Sequence, residues 1–302
     1  MSVELRPPRR GDAPAIAEAL TKFSRVADLD PESAADVESW LDTPSLDLDR
    51  DARVATAADT IVGYCDIADQ ARTGEIAWVD VRADPARPEA WEALLEFAEE
   101  RARELAPTGE IRAWAPEKAG DWRRLLESRG YGVHHYSLRM QIGLEDEPPE
   151  PVWPNGIEVG SPRPGEEETV YEAHMDTFSD TRDFARQPFD QWRHWFLREP
   201  FEPDLWFTAS AGDEIEGISL CRPEWGGDED LGWVSVLGVR KPWRGLGLGR
   251  ALLLHSFREL RNRGKRRAGL GVDAENPSAV RLYESAGMQV ERRHIWYRRA
   301  VA

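Results

Sequence analysis

Apolar residues recur along this chain with two periods, and the switching between them sketches its elements. Alternation every second residue predicts strands at 3–6, 53–57, 61–68, 75–81, 111–115 and 133–142. Apolar faces at three- and four-residue spacing predict helices at 13–23, 32–41, 89–105 and 120–128. The same order then returns: strands at 157–159, 205–211, 215–222 and 233–239, with helices at 166–177 and 188–198 among them. A helix at 248–262, a strand at 268–272, a helix at 277–285 and a β tail ending near Arg299 complete it. The two series register at an offset of 158, where Val81-Arg82 matches Val239-Arg240 and Ala93-Leu94-Leu95 matches Ala251-Leu252-Leu253. Residues 143–154, GLEDEPPEPVWP, join acidic side chains to four prolines, a composition that breaks helix and strand and reads as a linker. The expected fold class is therefore α/β (α+β), with two domains of one type at 1–142 and 155–302, each a mixed central sheet flanked by helices.

Length agrees, since 302 residues suit about two domains. Charge adds a location. The chain carries a formal net charge of −17, which argues against nucleic acid or acidic membranes as partners. Yet residues 240–302 hold 15 basic against 5 acidic side chains, while residues 151–239 hold 6 against 19. An anion site is expected in the last segment. Cys65 and Cys221 lie in separate halves inside apolar runs, and no Cys-x-x-Cys or His-Glu-x-x-His spacing occurs, so buried thiols and no metal site are expected. The amino terminus has no apolar signal region and no run approaches a membrane span, so the expectation is a cytoplasmic protein, monomer or homodimer.

The sharpest motif is Val239-Arg-Lys-Pro-Trp-Arg-Gly-Leu-Gly-Leu-Gly-Arg250, set between a predicted strand and a helix. Glycines at 245, 247 and 249 allow a tight turn and close approach to main-chain amides, and the helix amino terminus offers a pyrophosphate its unpaired N–H groups. Read as packing alone, the same loop is a tight connection. It is neither a dinucleotide fingerprint, because Arg250 falls where a third small residue belongs, nor a nucleotide P-loop, because no Gly-Lys-Ser/Thr follows. Arg244-x-x-Gly247-x-Gly249 resembles the acetyl-CoA signature, Arg/Gln-x-x-Gly-x-Gly/Ala, of the GNAT N-acetyltransferases. Asn276-Pro-Ser-Ala-Val-Arg-Leu-Tyr283-Glu-Ser-Ala-Gly287-Met288 is similar to the Asn…Leu-Tyr-x-x-x-Gly-Phe segment of that family. The resemblance covers the second half fully and the first in outline, and the tandem layout resembles that of mycothiol synthase.

The resemblance implies two tandem acyl-CoA N-acyltransferase folds and an acetyl donor, acetyl-CoA. Leu237, Gly238 and Val239 would hold the pantetheine arm, and Arg244, Gly245, Leu246, Gly247, Leu248, Gly249 and Arg250 the pyrophosphate. Asn276 would touch the cofactor or merely cap its helix, and Tyr283 would protonate the leaving thiolate or else pack in the core. At the offset of 158 the first half carries Ala86, Arg87, Glu89 and Trp91 in place of Arg244, Gly245, Gly247 and Gly249, so one active site is expected, in the second half. On the acceptor side Trp192, Trp225, Trp233 and Ser235 are candidate contacts, and Glu224, Asp273, the 228–230 acidic cluster and His174 are candidate bases. Trp233 stands where the resemblance to mycothiol synthase puts a glutamate. The expected activity is transfer of an acetyl group to a primary amine of a small cationic acceptor, such as an aminosugar, polyamine or antibiotic-like molecule, by direct attack in a ternary complex. The alternative is a noncatalytic acyl-CoA-binding or partner-binding protein that keeps the loop.

Overall fold

The structure, a computed structural model, describes residues 3–301. Its chain forms two compact units, one made of residues up to Ser137 together with those from Arg293 onward, the other of Leu138–Arg292. The sequence reading runs the second half to residue 302; the final strand of the chain instead joins the first unit.

In the first unit the sheet order is β1 (Glu4–Arg6), β2 (Ala52–Ala57), β3 (Thr60–Ala68), β4 (Ile76–Ala83), β5 (Glu110–Pro116) and the end of β12 (Gln289–Ala300). Neighbours are antiparallel except β4 and β5. Alternation along β3 sends Cys65 and Ile67 to one face, where α4 (Pro88–Leu105) covers them with Leu94, Leu95 and Ala98. Tyr64 goes to the opposite face, against Ile16 and Leu20 of α1 (Ala13–Ala27) and Val37 of α2 (Ala34–Leu41). A four-residue helix, α3 (Leu48–Asp51), and α5 (Gly120–Ser128) complete the unit. α3 has no counterpart in the sequence reading, because four residues are too few for a helical period to show.

The second unit repeats the plan. Its sheet runs β7 (Glu158–Gly160), β8 (Trp206–Ala211), β9 (Glu214–Arg222), β10 (Leu231–Val239), β11 (Arg267–Asp273) and the end of β6 (Gly132–Gly143). On one face lies α8 (Leu248–Asn262), whose Leu252, Leu253, Phe257 and Leu260 pack on Val234, Ala268 and Leu270. On the other lie α6 (Glu167–Phe178) and α7 (Phe189–Phe196), joined through an aromatic core around Trp192 and Trp206. α9 (Pro277–Ser285) follows β11. Both cysteines are free and buried. No helix among the described residues is long and apolar enough to cross a membrane.

Candidate functional site

The site begins where two parallel strands part. β10 and β11 pair only over residues 231–234 against 267–270, although β10 continues to Val239 and β11 to Asp273. At the parting point β10 carries a bulge, its register against β9 shifting between Val234 and Val236. A bulge bends its strand, and beyond this one β10 no longer pairs with β11. The edges of 235–239 and 271–273 are then left unpaired toward each other, a slot lined by backbone donors and acceptors. Ser235 sits at its apex, its buried Oγ without a hydrogen-bond partner. Leu237 and Val239 pack toward the α8 core, whereas Gly238 lies under Thr177 and Phe178 of α6.

The slot leads into the glycine loop. After one 3-10 turn at Lys241–Trp243 the chain passes Gly245 at φ 77° and Gly247 at φ 91°, and α8 starts at Leu248. Only glycine adopts these angles without strain. A Cβ on either would meet nothing within 4 Å, so the space above the loop is open. Leu246 is exposed and Leu248 is buried as the anchor of the turn. The first N–H groups of α8, at Leu248, Gly249 and Arg250, have no partner within the helix and present its positive end. Arg250 is exposed and makes no ion pair among the described residues.

Arg244 is differently employed. Its Nε donates to Val239 O at 2.9 Å, its Nη2 to Thr177 O at 2.9 Å, and the guanidinium grips Asp180 through bonds of 2.7 and 2.9 Å. Those bonds hold the Asp180 carboxyl down at about 2. Arg244 thus fastens the end of β10 to the end of α6, and Arg250, one residue past the signature, is the loop arginine left for an anionic ligand. Asp180 lies 64 residues before Arg244, and no local sequence pattern pointed to it.

On α9, Asn276 is a helix cap: its Oδ1 accepts from Ala279 N at 3.1 Å and Ser278 Oγ at 2.8 Å, and Pro277 occupies the first turn. Tyr283 is 7% exposed, beside Leu248, Leu252 and Val272. Its hydroxyl has no hydrogen-bond partner among the described residues, and burial pushes its pKa up to about 12. It is a neutral donor at every physiological pH.

On the far side of the bulge the hairpin between β9 and β10 folds Trp225 onto Trp233, with rings stacked at 4.5 Å and 16°. Trp233 can lie across β11 because residue 269 is glycine; a Cβ there would stand 2.6 Å from the ring. Arg139 covers the indole at 5.1 Å. The candidate bases separate. Asp273 spends Oδ1 on Glu275 N at 2.8 Å and Oδ2 on Arg182 at 3.0 Å. Asp228 pairs with Arg267 at 2.5 Å and bonds Asp230 N. Glu224 is half-buried and has no partner among the described residues. Trp192 is fully buried and offers a ligand no surface.

Trp192 does decide the state of His174. Its Nε1, which can only donate, bonds His174 Nδ1 at 2.9 Å. Nδ1 is therefore the bare nitrogen and Nε2 carries the proton, so His174 has no lone pair left to act as a base. Burial lowers its pKa to about 4. The group is depressed on folding, so the unfolded chain binds the extra proton between pH 6.5 and 4, and stability falls as pH falls through that window. Relative to pH 7.5, His174 is expected to cost about 2 kcal/mol by pH 5. Urea midpoints at the two pH values, compared between the native chain and His174→Gln, check this; equal acid loss in both would assign it elsewhere.

Residues 167–288 match the acetyltransferase (GNAT) family. The mycothiol acetyltransferase of Geodermatophilus obscurus is 34% identical over 260 residues, covering 82% of each chain. The chain belongs to the GNAT acetyltransferase family. A GCN5-related N-acetyltransferase from Sphaerobacter thermophilus has a solved structure that superposes with a TM-score of 0.80 at 30% identity, covering 99% of this chain and 96% of that one. A tandem GNAT protein from the clavulanic acid biosynthesis pathway shares the fold at a TM-score of 0.73 and 18% identity, over 100% and 99% of the two chains. This acetyltransferase is a tandem of two GNAT folds. In its first unit, the position matching Gly249 of the glycine loop is filled from within. Trp91 is buried between Phe23 and Trp122, each at 4.9 Å, and donates to Asp84 O at 3.3 Å. On the opposite face Arg82, 4% exposed, is held by Asp80 and Glu32 beneath Trp40 at 4.4 Å.

Proposed function

We propose that the second unit transfers the acetyl group of acetyl-CoA to a primary amine of a small cationic acceptor, such as an aminosugar, polyamine or antibiotic-like molecule, by direct attack in a ternary complex. The observation that carries this reading is the slot between β10 and β11, which runs from the buried hydroxyl of Ser235 to the open glycine loop. Its unpaired strand edges suit the amides of a pantetheine arm, and the α8 amino terminus with Arg250 suits a pyrophosphate. Bound acetyl-CoA supplies a thioester carbon open to attack. An alkylammonium with a pKa near 10 costs roughly 4 kcal/mol to deprotonate at pH 7, and Glu224, unpaired beside the Trp225 and Trp233 stack, is the carboxylate assigned to take that proton, with Ser235 relaying through water. Tyr283 gives its proton to the departing thiolate. The 19 acidic side chains of residues 151–239 favour a cation at the acceptor side, and Trp225 and Trp233 offer an aromatic wall. Neither Trp91 nor Arg82 leaves room for the same chemistry in the first unit.

A panel of primary amines assayed by free-thiol release tests the reading. Acetyl-CoA-dependent turnover on a cationic amine is expected, with neutral and acidic amines slower. Silence across the panel with retained acetyl-CoA binding would overturn it in favour of a binding protein.

A further inference from the structure

The segment that follows α6 is tied to both arms of the slot. Two turns, Thr181 N to Phe178 O at 2.8 Å and Phe184 N to Thr181 O at 3.3 Å, fold it back on itself. Asp180 is bound to Arg244 at 2.7 Å and to Lys241 at 3.5 Å, both on the loop that continues β10. Arg182 is bound to Asp273 at 3.0 Å and to Glu275, at and beyond the end of β11. Asp180 and Arg182 are two residues apart, so at most about 7 Å of backbone joins the pins. Past residues 234 and 270 no strand pairing links β10 to β11, and this segment links their ends instead.

We infer that residues 180–182 form a strap across the mouth of the slot, with Arg182 as the latch that must release for acetyl-CoA to enter or leave. This rests on the acetyl-CoA reading above. The two pins differ in strength. Arg244 makes four hydrogen bonds, two of them to backbone carbonyls, and its partner Asp180 is held ionised by them; that end is the hinge. Arg182 meets only side-chain carboxylates and no backbone carbonyl; with exposure like that of the hinge pair but without its backbone bonds, that end opens at less cost and is weakened by salt. A pantetheine arm lying between the strands is enclosed when the latch is closed. The latch also occupies Asp273, which is consistent with a positioning part for that residue and not with proton abstraction.

Stopped-flow tryptophan fluorescence with acetyl-CoA tests the latch on the full chain. Arg182→Ala is expected to speed association and dissociation together by about fivefold, the scale of an exposed pair, with the ratio of the two rates nearly unchanged. Asp273→Asn, which removes one of the two carboxylates that hold the latch and leaves Glu275 in place, is expected to speed both rates by less. Raising salt, which screens the anion site in both chains alike, is expected to shrink the difference in both rates between the native chain and Arg182→Ala. Arg186→Ala, which breaks a nearby pair with Glu172 that does not cross the slot, is expected to change neither rate. Unchanged rates in Arg182→Ala, or faster dissociation alone, would overturn the latch, the latter marking Arg182 as a direct cofactor contact. Absence of saturable acetyl-CoA binding in the native chain would instead overturn the acetyl-CoA reading itself.

Discussion

Gly247→Glu is expected to abolish acetyl-CoA binding while leaving the fold intact. At a hundredfold excess over its Kd the ligand stabilises the native chain by about 2.7 kcal/mol, which corresponds to about 5–10 °C in Tm for a domain of this size. The variant is expected to show no such shift. Two effects act together. Residue 247 sits at φ 91°, where a side chain costs about 1–2 kcal/mol, and the new carboxylate stands in the open space above the α8 amino terminus, where a pyrophosphate would be repelled. Gly264→Glu separates them. Gly264 also has a positive φ, 81°, and open space around it, but it lies past the other end of α8. It is expected to lose similar stability and to keep the ligand-induced shift. A shift that survives in Gly247→Glu would place the cofactor elsewhere.

Tyr283→Phe is expected to lower kcat by about 100-fold, the lower range for loss of a general acid, with acetyl-CoA affinity nearly unchanged. The hydroxyl it removes has no partner among the described residues, so the protein loses no internal bond and Tm is expected to hold. The pH profile gives a second reading. Burial raises this phenol to about 12, so it keeps its proton as pH rises and sheds it only near that value. The native rate is therefore expected to climb with pH as the amine deprotonates, with no decline assignable to Tyr283 below about pH 11. An unchanged kcat, or a fall beginning near pH 9 that the variant lacks, would remove Tyr283 from the role.

Much of this was legible in the sequence, and what was not has a physical reason. The predicted helices at 248–262, 277–285 and 120–128 have the observed bounds, because each is closed by a strong local signal such as Gly247, Asn276-Pro277 or Gly130. The glycine loop and Tyr283 were read from a motif whose residues are neighbours in the chain. The partners of Arg244 were not. Its bonds to Asp180 and Thr177 O span 64 and 67 residues, and only the packing of α6 on Gly238 brings them together. The parting of β10 from β11 was equally hidden, since a one-residue bulge leaves the alternation of Trp233, Val234 and Val236 looking like an ordinary strand. Among the bases, spacing could not rank His174, Asp273 and Glu224; a single indole N–H, an arginine and the lack of any partner distinguish them.

The last strand has a consequence for how the molecule is made. Seven residues of β12, His294 to Ala300, pair with β5, and Ile295 and Tyr297 sit in the first core at 3% and 0% exposure. That core closes only when β12 arrives. On the ribosome, the half synthesised first is the half completed last, waiting with an open sheet edge while some 150 further residues are added. Cleavage in the proline-rich stretch at 143–154 would accordingly release no self-sufficient pieces, and loss of β12 would damage the unit that was translated first.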